Sequence, residues 1–209
     1  GSPVQVGCQS VYRMNTAVGG NFGAFTTNRP VSIMKAMDVN YTIIGHCEER
    51  NDKMGLLAEA GVVDTKAVNR ILNQEIKLAV ANGMKVLYCI GEKDTELENW
   101  DEVLREQLEI GLEGVDKSQV VIGYEPIWSI GPGKTPAGKE YITKIARFVK
   151  EVTGGIDVVY GGGLKVDNAE MLASIEEIDG GLIALTRFQG EIGFYPDEYI
   201  EIIRTYLGK

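Results

Sequence analysis

The stretch 120–138, VVIGYEPIWSIGPGKTPAG, constrains the fold most, because an apolar run leads there into a carboxylate and a glycine-rich loop. Residues 120–124 are β-branched and aromatic without helical spacing, which is typical of a strand buried on both faces. Pro126 cannot donate a ladder hydrogen bond, so the strand is expected to end at Glu125. Parallel α/β proteins place their chemistry at such strand ends. Glu125 is therefore either a catalytic group or a surface loop acid.

The sequence GPGKT at 131–135 also suggests a nucleotide-binding phosphate loop. Its spacing argues against that interpretation, because the motif needs a glycine where Trp128 stands and a strand immediately before the loop. A helical pattern of apolar residues follows at 141–152. The loop is therefore predicted to join a strand to a helix without binding a nucleoside triphosphate.

Strand-like and helix-like segments alternate along the whole chain, as they do in the βαβ units of a parallel sheet. No linker or low-complexity run divides the sequence, so we expect one domain over residues 3–209. Gly1 and Ser2 are interpreted as a cloning remnant. Six strands are predicted, at residues 4–8, 41–45, 85–90, 120–124, 156–160 and 181–184.

Composition excludes several classes of function. The 209 residues suffice for one domain with a sizeable core. A formal net charge of −9 argues against a nucleic-acid partner and against an anionic membrane surface. No apolar run approaches the length of a membrane-spanning helix, and no leader is recognised. Cys8, Cys47 and Cys89 are widely spaced and odd in number, which favours free thiols in the reducing cytoplasm.

Several polar or glycine-rich positions directly follow predicted strands, and the carboxyl ends of parallel strands gather at one face. This coincidence favours the catalytic interpretation of Glu125. His46 is the only histidine, and by itself it is either a structural residue or a catalytic one. The positions that follow strands are His46, Glu92, Glu125, residues 161–163, Thr186 and Arg187.

These motifs resemble the triosephosphate isomerase family. The similar segments are IIGHCEERN at 43–51, CIGE at 89–92, YEPIWSIGPGK at 124–134, YGGG at 160–163 and DGGLIA at 179–184. They occur in the family's order and span nearly the whole chain. The resemblance implies an α/β fold, a truncated TIM (β/α) barrel of about six parallel strands alternating with helices. It would begin at the family's third strand, since two βα units have no counterpart here.

By this resemblance, the chain is an aldose–ketose isomerase, an intramolecular oxidoreductase of glycolysis and gluconeogenesis. Its substrate would be glyceraldehyde 3-phosphate, dihydroxyacetone phosphate or a close relative. Glu125 matches the base that moves a proton between adjacent carbons, and His46 matches the neutral imidazole that polarises the carbonyl. Glu48 matches a glutamate beside them, or is simply an acid favouring the helix dipole. No cofactor and no metal are expected, because this proton transfer needs only a base and an electrophile.

The resemblance also implies a mobile lid at residues 126–134, with an ordinary βα loop as the alternative. Lys134 is then either a hinge or a solvated charge. Tyr160 would brace the closed lid. The named lid positions are Pro126, Ile127, Trp128 and Lys134, and the expected phosphate contacts are Gly131, Gly162, Gly163 and Arg187.

Two departures from the family leave the activity open. The family's first strand carries a substrate-holding lysine, and nothing before Val4 matches it. The family's last strand ends in a phosphate-cradling glycine pair, where Ala184 and Leu185 stand here. Arg187 either replaces those donors with a bidentate contact or is a surface charge. The alternative to an isomerase is a catalytically inactive truncated barrel.

Assembly follows from the predicted topology. Six parallel strands cannot close the family's barrel, so the first and last strands would present open edges that demand a partner. We therefore expect a homo-oligomer, a dimer or larger, that pairs through these edges. Residues 19–26 resemble the loop that family dimers insert into their neighbour, with Thr26 at its tip, although a flexible surface loop is equally consistent.

Overall fold

A computed structural model describes residues 3–17, 20–23, 25, 27–131 and 133–208. In this part of the chain, parallel strands alternate with helices, which confirms the predicted fold class. The strands are β1 (Gly7–Gln9), β2 (Tyr41–Ile44), β3 (Lys85–Ile90), β4 (Val120–Tyr124), β5 (Val158–Tyr160) and β6 (Gly180–Gly181). The helices are α1 (Val31–Ala36), α2 (Cys47–Glu59), α3 (Thr65–Ala81), α4 (Trp100–Gly111), α5 (Lys139–Thr153), α6 (Val166–Ala173) and α7 (Pro196–Tyr206).

The chain forms two compact units, and the first comprises Gly1–Ile90 and Glu106–Val121. In it, β1, β2 and β3 pair in parallel in chain order. Helix α3 packs its apolar face against β2 and β3, where Leu72 and Ile76 are fully buried. Asp64 accepts a hydrogen bond from the Ala67 amide at 3.0 Å and so caps the N-terminus of α3.

The second unit comprises Gly91–Arg105 and Ile122–Lys209. In it, β4, β5 and β6 pair in parallel, again in chain order. Helix α5 buries Ile142, Ile145 and Val149, as its apolar spacing predicts. No helix of the described residues is long and apolar enough to cross a membrane. The single domain expected over 3–209 stays a prediction.

The two outermost strands differ from the predicted ones. Strand β1 begins at Gly7 rather than at residue 4, and Val4 and Val6 are 75% and 64% exposed. Strand β6 ends at Gly181 rather than at residue 184. Its partner β5 ends at Tyr160, whose carbonyl still accepts from the Leu182 amide. Among the described residues, those beyond Leu182 have no further strand residue of β5 to pair with.

Both strands are edges, as the sequence predicts. Among the described residues, β1 pairs only with β2, and β6 pairs only with β5. Unpaired backbone groups on such edges are a template for another chain. Cys8, Cys47 and Cys89 form no disulfide with one another.

Candidate active site

The residues expected to be catalytic lie in different compact units. Each set is described by itself, and the two sets are named the histidine half and the glutamate half of the predicted residues. His46 belongs to the first unit, together with Glu48. Glu125 belongs to the second unit, and the lid and phosphate residues predicted from the sequence lie with it. These are residues 126–134, Gly162, Gly163 and Arg187.

His46 stands between β2 and α2, as the N-cap residue of the helix. Its Nδ1 contacts the Glu48 carboxylate and lies 3.7 Å from the sulfur of Cys47. The side chains of His46 and Glu48 are 43% and 80% exposed. The structure thus brings together the two residues that the sequence predicts side by side. A carboxylate at Nδ1 favours the tautomer with its proton on that nitrogen.

The residue before His46 is held on both sides by side chains of α2. Gly45 has a left-handed φ of +84°, and its N–H donates to Glu49 Oε2 at 2.6 Å. Its carbonyl accepts from Arg50 Nε at 2.8 Å. A Cβ at this position would lie 2.8 Å from the Cys89 carbonyl oxygen, so only glycine fits. The peptide that carries His46 is therefore fixed.

Glu49 belongs to a largely buried group of polar and charged side chains, which we name the Glu49 cluster: Ser10, Glu49, Lys53 and Glu75. The Ser10 hydroxyl donates to Glu49 Oε1, and Lys53 Nζ lies 2.7 Å from the same oxygen. Lys53 Nζ also lies 3.1 Å from Glu75 Oε1. The carboxylates come from α2 and α3, so the cluster joins these helices to the end of β1.

The two acids of the cluster differ in their protonation. Burial tends to raise the pKa of Glu49, but hydrogen bonds from Lys53 and Ser10 outweigh it, and the net shift is downward. Burial raises the pKa of Glu75 to about 8, and the charge of Glu49 adds to this effect while Lys53 opposes it. Near neutral pH, Glu49 is therefore ionised and Glu75 is mostly protonated.

A cavity of about 640 Å³ lies beside this cluster within the first unit. Its wall includes His46 and Glu48, together with the two acids of the Glu49 cluster. It also carries basic groups, so the lining is mixed in charge. The residues that line the cavity include Arg13, Arg29, His46, Glu48, Glu49 and Glu75.

His46, Cys47 and Glu48 also carry atoms of metal-binding type, all within 4.8 Å of one another. Glu48 is mostly exposed, and the three residues begin a helix, where the backbone carries positive charge that disfavours a cation. We therefore assign no metal to them.

Glu125 lies directly after β4 and is 3% exposed, so it is not an exposed loop acid. Two glycines leave room for it. A Cβ at Gly91 would overlap the Glu125 carbonyl oxygen, and one at Gly161 would lie 2.9 Å from Glu125 Cγ. The loops after β3 and β5 thus approach Glu125 closely, and its catalytic role stays a prediction.

The beginning of the predicted lid is tied to Glu92, which is fully buried. Its Oε1 accepts from Trp128 Nε1 at 2.8 Å, from the Tyr124 hydroxyl at 2.9 Å and from the Tyr141 hydroxyl at 3.0 Å. Burial and the nearby Glu92 raise the pKa of both tyrosines, so both remain donors. The sequence places Glu92 at a strand end, but its role as the acceptor that holds Trp128 was not predicted. The CIGE motif at 89–92 was the signal that could have indicated it.

The glycine loop after β5 packs against the same lid. A Cβ at Gly162 would overlap the Tyr160 hydroxyl and lie 2.8 Å from Pro126 Cγ. The Tyr160 hydroxyl donates to the Gly162 carbonyl at 3.0 Å, and burial raises the pKa of Tyr160 to about 12. Gly163 and Gly131 have φ of +92° and +110°. Their contacts with phosphate stay predictions.

Arg187 already has a carboxylate partner. Its guanidinium donates to Glu198, with Nε at 3.0 Å from Oε1, and it lies 4.0 Å from the centre of the Tyr195 ring. The amides of Thr186 and Arg187 both donate to the Gly193 carbonyl at 3.1 Å. A phosphate at Arg187 would have to share the guanidinium with Glu198. Lys134 is exposed, and Thr26 lies outside the described residues.

The comparisons with known proteins agree on one family. The model of the triosephosphate isomerase family matches residues 1–204. Triosephosphate isomerase of Synechococcus sp. (strain CC9902) is 33% identical, with 96% of this chain and 74% of that protein covered. That of Fusobacterium nucleatum is 33% identical, covering 98% and 77%. That of Mycoplasmopsis pulmonis is 33% identical, covering 87% and 66%. The chain thus spans 66% to 77% of these relatives' length.

Proposed function

This chain belongs to the triosephosphate isomerase family, and from that membership we propose that it isomerises a small phosphorylated sugar. The substrate pair is glyceraldehyde 3-phosphate and dihydroxyacetone phosphate or a close relative. The observation that carries the proposal is the buried carboxylate of Glu125 at the carboxyl end of β4, beside two glycine-containing loops. Parallel β/α proteins present their reacting groups at this end of the strands.

In the proposed reaction, Glu125 removes a proton from the carbon next to the carbonyl and returns it to the neighbouring carbon. His46 donates a hydrogen bond to the carbonyl oxygen and moves the oxygen-bound protons. It can donate only from a ring nitrogen that carries a proton, and the Glu48 contact favours the proton on Nδ1. Glu48, whose side chain is 80% exposed, would therefore have to leave Nδ1 before the other ring nitrogen could carry the proton and donate it to the substrate.

Residues 126–134 close over the substrate in this proposal, with Trp128 anchored on Glu92. Closure would exclude water and protect the reactive intermediate. Gly131, Gly162 and Gly163 would offer backbone amides to the phosphate, and Arg187 would add a charge-assisted contact. Cytoplasmic location and a place in glycolysis are parts of the same proposal.

The test is isomerisation of glyceraldehyde 3-phosphate by the purified 209-residue chain. We expect turnover that falls by about two to four orders of magnitude in Glu125→Gln, the usual contribution of a positioned base. Glu151→Gln, at an exposed acid of α5 in the same unit, is the matched control and should keep full activity. Equal turnover in all three proteins would contradict the proposal.

The open edges favour a second candidate function, an assembling barrel with no catalytic activity. Among the residues that the structure describes, strand β1 pairs on one side only, and the exposed Val4 and Val6 precede it. We expect a dimer or larger oligomer by light scattering at micromolar concentration. Val6→Lys should shift it towards monomer, since a lysine directly beside an edge strand opposes pairing. A monodisperse wild-type monomer would exclude edge pairing.

A further inference from the structure

We propose that Glu49 is a positioning residue for His46, fixing the peptide that presents the imidazole from within the first turn of α2. The inference rests on the proposed function only for the task of His46. What Glu49 does to the histidine is a statement about geometry and can be measured without any substrate.

The backbone geometry at the start of α2 carries the first step. A helix N-cap side chain ordinarily accepts a hydrogen bond from a first-turn amide, but His46 makes no such bond. Instead, the third helical residue reaches backwards, and Glu49 accepts the Gly45 N–H at 2.6 Å. Because Arg50 holds the Gly45 carbonyl, loss of Glu49 would release one of the two restraints on this left-handed residue.

Two side chains contact the Glu49 carboxylate directly: Ser10 from the end of β1 and Lys53 from the next turn of α2. Glu75 of α3 contacts the same Lys53. Only 14% of the Glu49 side chain is exposed, with 16% for Lys53 and 4% for Glu75. These contacts leave the carboxylate little freedom, so it is a rigid support for the turn.

The protonation of the cluster agrees with this task. No donor among the described residues reaches Glu75 Oε2, which is buried. Because the raised pKa of Glu75 keeps it mostly protonated near neutral pH, the Lys53 ammonium forms its ion pair with the Glu49 carboxylate. The cluster then holds one buried negative charge and one positive charge, which avoids an unpaired ion.

The chain offers an unusually clean readout, because His46 is its only histidine. Labelling histidine with ¹⁵N gives ring signals from this residue alone, and their shifts report which nitrogen carries the proton. Relaxing the turn would change the contact between Nδ1 and Glu48, and with it the tautomer populations.

The experiment compares the full chain with three variants at about pH 7.5 by ¹H–¹⁵N spectra of the His46 ring and the Gly45 amide. Glu49→Leu should shift both sets of signals, because an apolar side chain cannot accept the Gly45 N–H. Glu49→Gln should give an intermediate result, because its amide oxygen still accepts. Glu59→Gln removes the same charge from an exposed position of α2 and should leave both spectra unchanged.

Kinetics add a second readout where the chain is active. We expect kcat to fall about tenfold to a hundredfold in Glu49→Leu with little change in KM, the order expected when a reacting group is misplaced by about 1 Å. Glu49→Gln should recover part of the loss. A purely structural role would lower the amount of folded protein without this order among the variants.

Unchanged His46 and Gly45 signals in a folded Glu49→Leu protein would overturn the proposal. If that variant does not fold, as judged by its backbone amide spectrum, Glu49→Gln decides in the same way. Absence of turnover in the wild-type chain would count against the proposed isomerase function. The ring spectra would still decide whether Glu49 positions His46.

Discussion

The histidine half and the glutamate half of the predicted residues are held in place by different forces. Glu125 is 3% exposed, and glycine loops and buried rings surround it and its lid. His46 is 43% exposed, and ionised side chains hold the turn that carries it. A base fixed by close packing should tolerate changes of pH but not changes in the volume of the side chains around it. An imidazole fixed by charges should respond to pH and tolerate changes in side-chain volume.

The difference also follows from the elements involved. Glu125 extends a strand that is buried along most of its length, so the strand itself sets its direction. His46 is the N-cap residue of α2, a helix with no buried residue, so side-chain contacts must set the direction of the imidazole. Each of the following predictions perturbs one half and should leave the other half unchanged.

The largest effect is expected from added volume in the glutamate half. Gly91→Ala would force the new Cβ against the Glu125 carbonyl oxygen, and backbone there cannot move aside easily. We expect a loss of about 3 kcal/mol of unfolding free energy in urea, the upper range for overpacking. Gly138→Ala, where no atom lies within 4 Å of the new Cβ, should change it by less than about 0.5 kcal/mol. Equal effects at both glycines would contradict control by packing.

The next effect concerns pH and the histidine half. The pKa of Glu75 rises from 4.5 to about 8 on folding, so between these values the folded state binds a proton that the unfolded state has lost. Stability therefore falls as pH rises through this window and levels off above it. The lowered pKa of Glu49 acts below the window, where stability is lost as pH falls.

From about pH 5.5 to about pH 7.5 we expect a loss of about 2 kcal/mol in unfolding free energy, at up to about 1.4 kcal/mol per pH unit. Glu75→Gln, which is neutral at every pH, should flatten this slope. Urea unfolding at several pH values measures both proteins. A wild-type slope that survives in Glu75→Gln would place its cause elsewhere.

The smallest of these effects concerns the lid. Trp128→Phe keeps an aromatic ring but removes the N–H that Glu92 accepts, while two tyrosine donors remain. We expect a local loss of about 1 kcal/mol, the net value of one hydrogen bond. Faster trypsin cleavage after Lys134 would report it. Trp100→Phe, the same change at the other tryptophan, should leave that cleavage rate unchanged.

Sequence reasoning succeeded where local signals suffice. Strands β3 and β4 have the predicted ends, because each is a buried apolar run closed by glycine or by a glutamate and proline. The last strand was predicted too long, because its end depends on where the neighbouring β5 ends. A strand's pairing partner is not written in its own residues.

The same limit explains the missed residues of the site. Glu49 has the sequence signature of an acid in the first turn of a helix, which the helix dipole alone explains. Its partners Ser10 and Glu75 lie far from it in sequence, and only the fold brings them together. The contact between His46 and Glu48 was predictable because they are two positions apart in the sequence.

The most direct test of the central claim follows the proton itself. Dihydroxyacetone phosphate incubated with the chain in deuterium oxide should exchange a carbon-bound proton, which ¹H NMR records without requiring complete turnover. We predict exchange by the wild-type chain that falls at least about a hundredfold in Glu125→Gln. Exchange at the same rate in both proteins would contradict the account of Glu125 as the base.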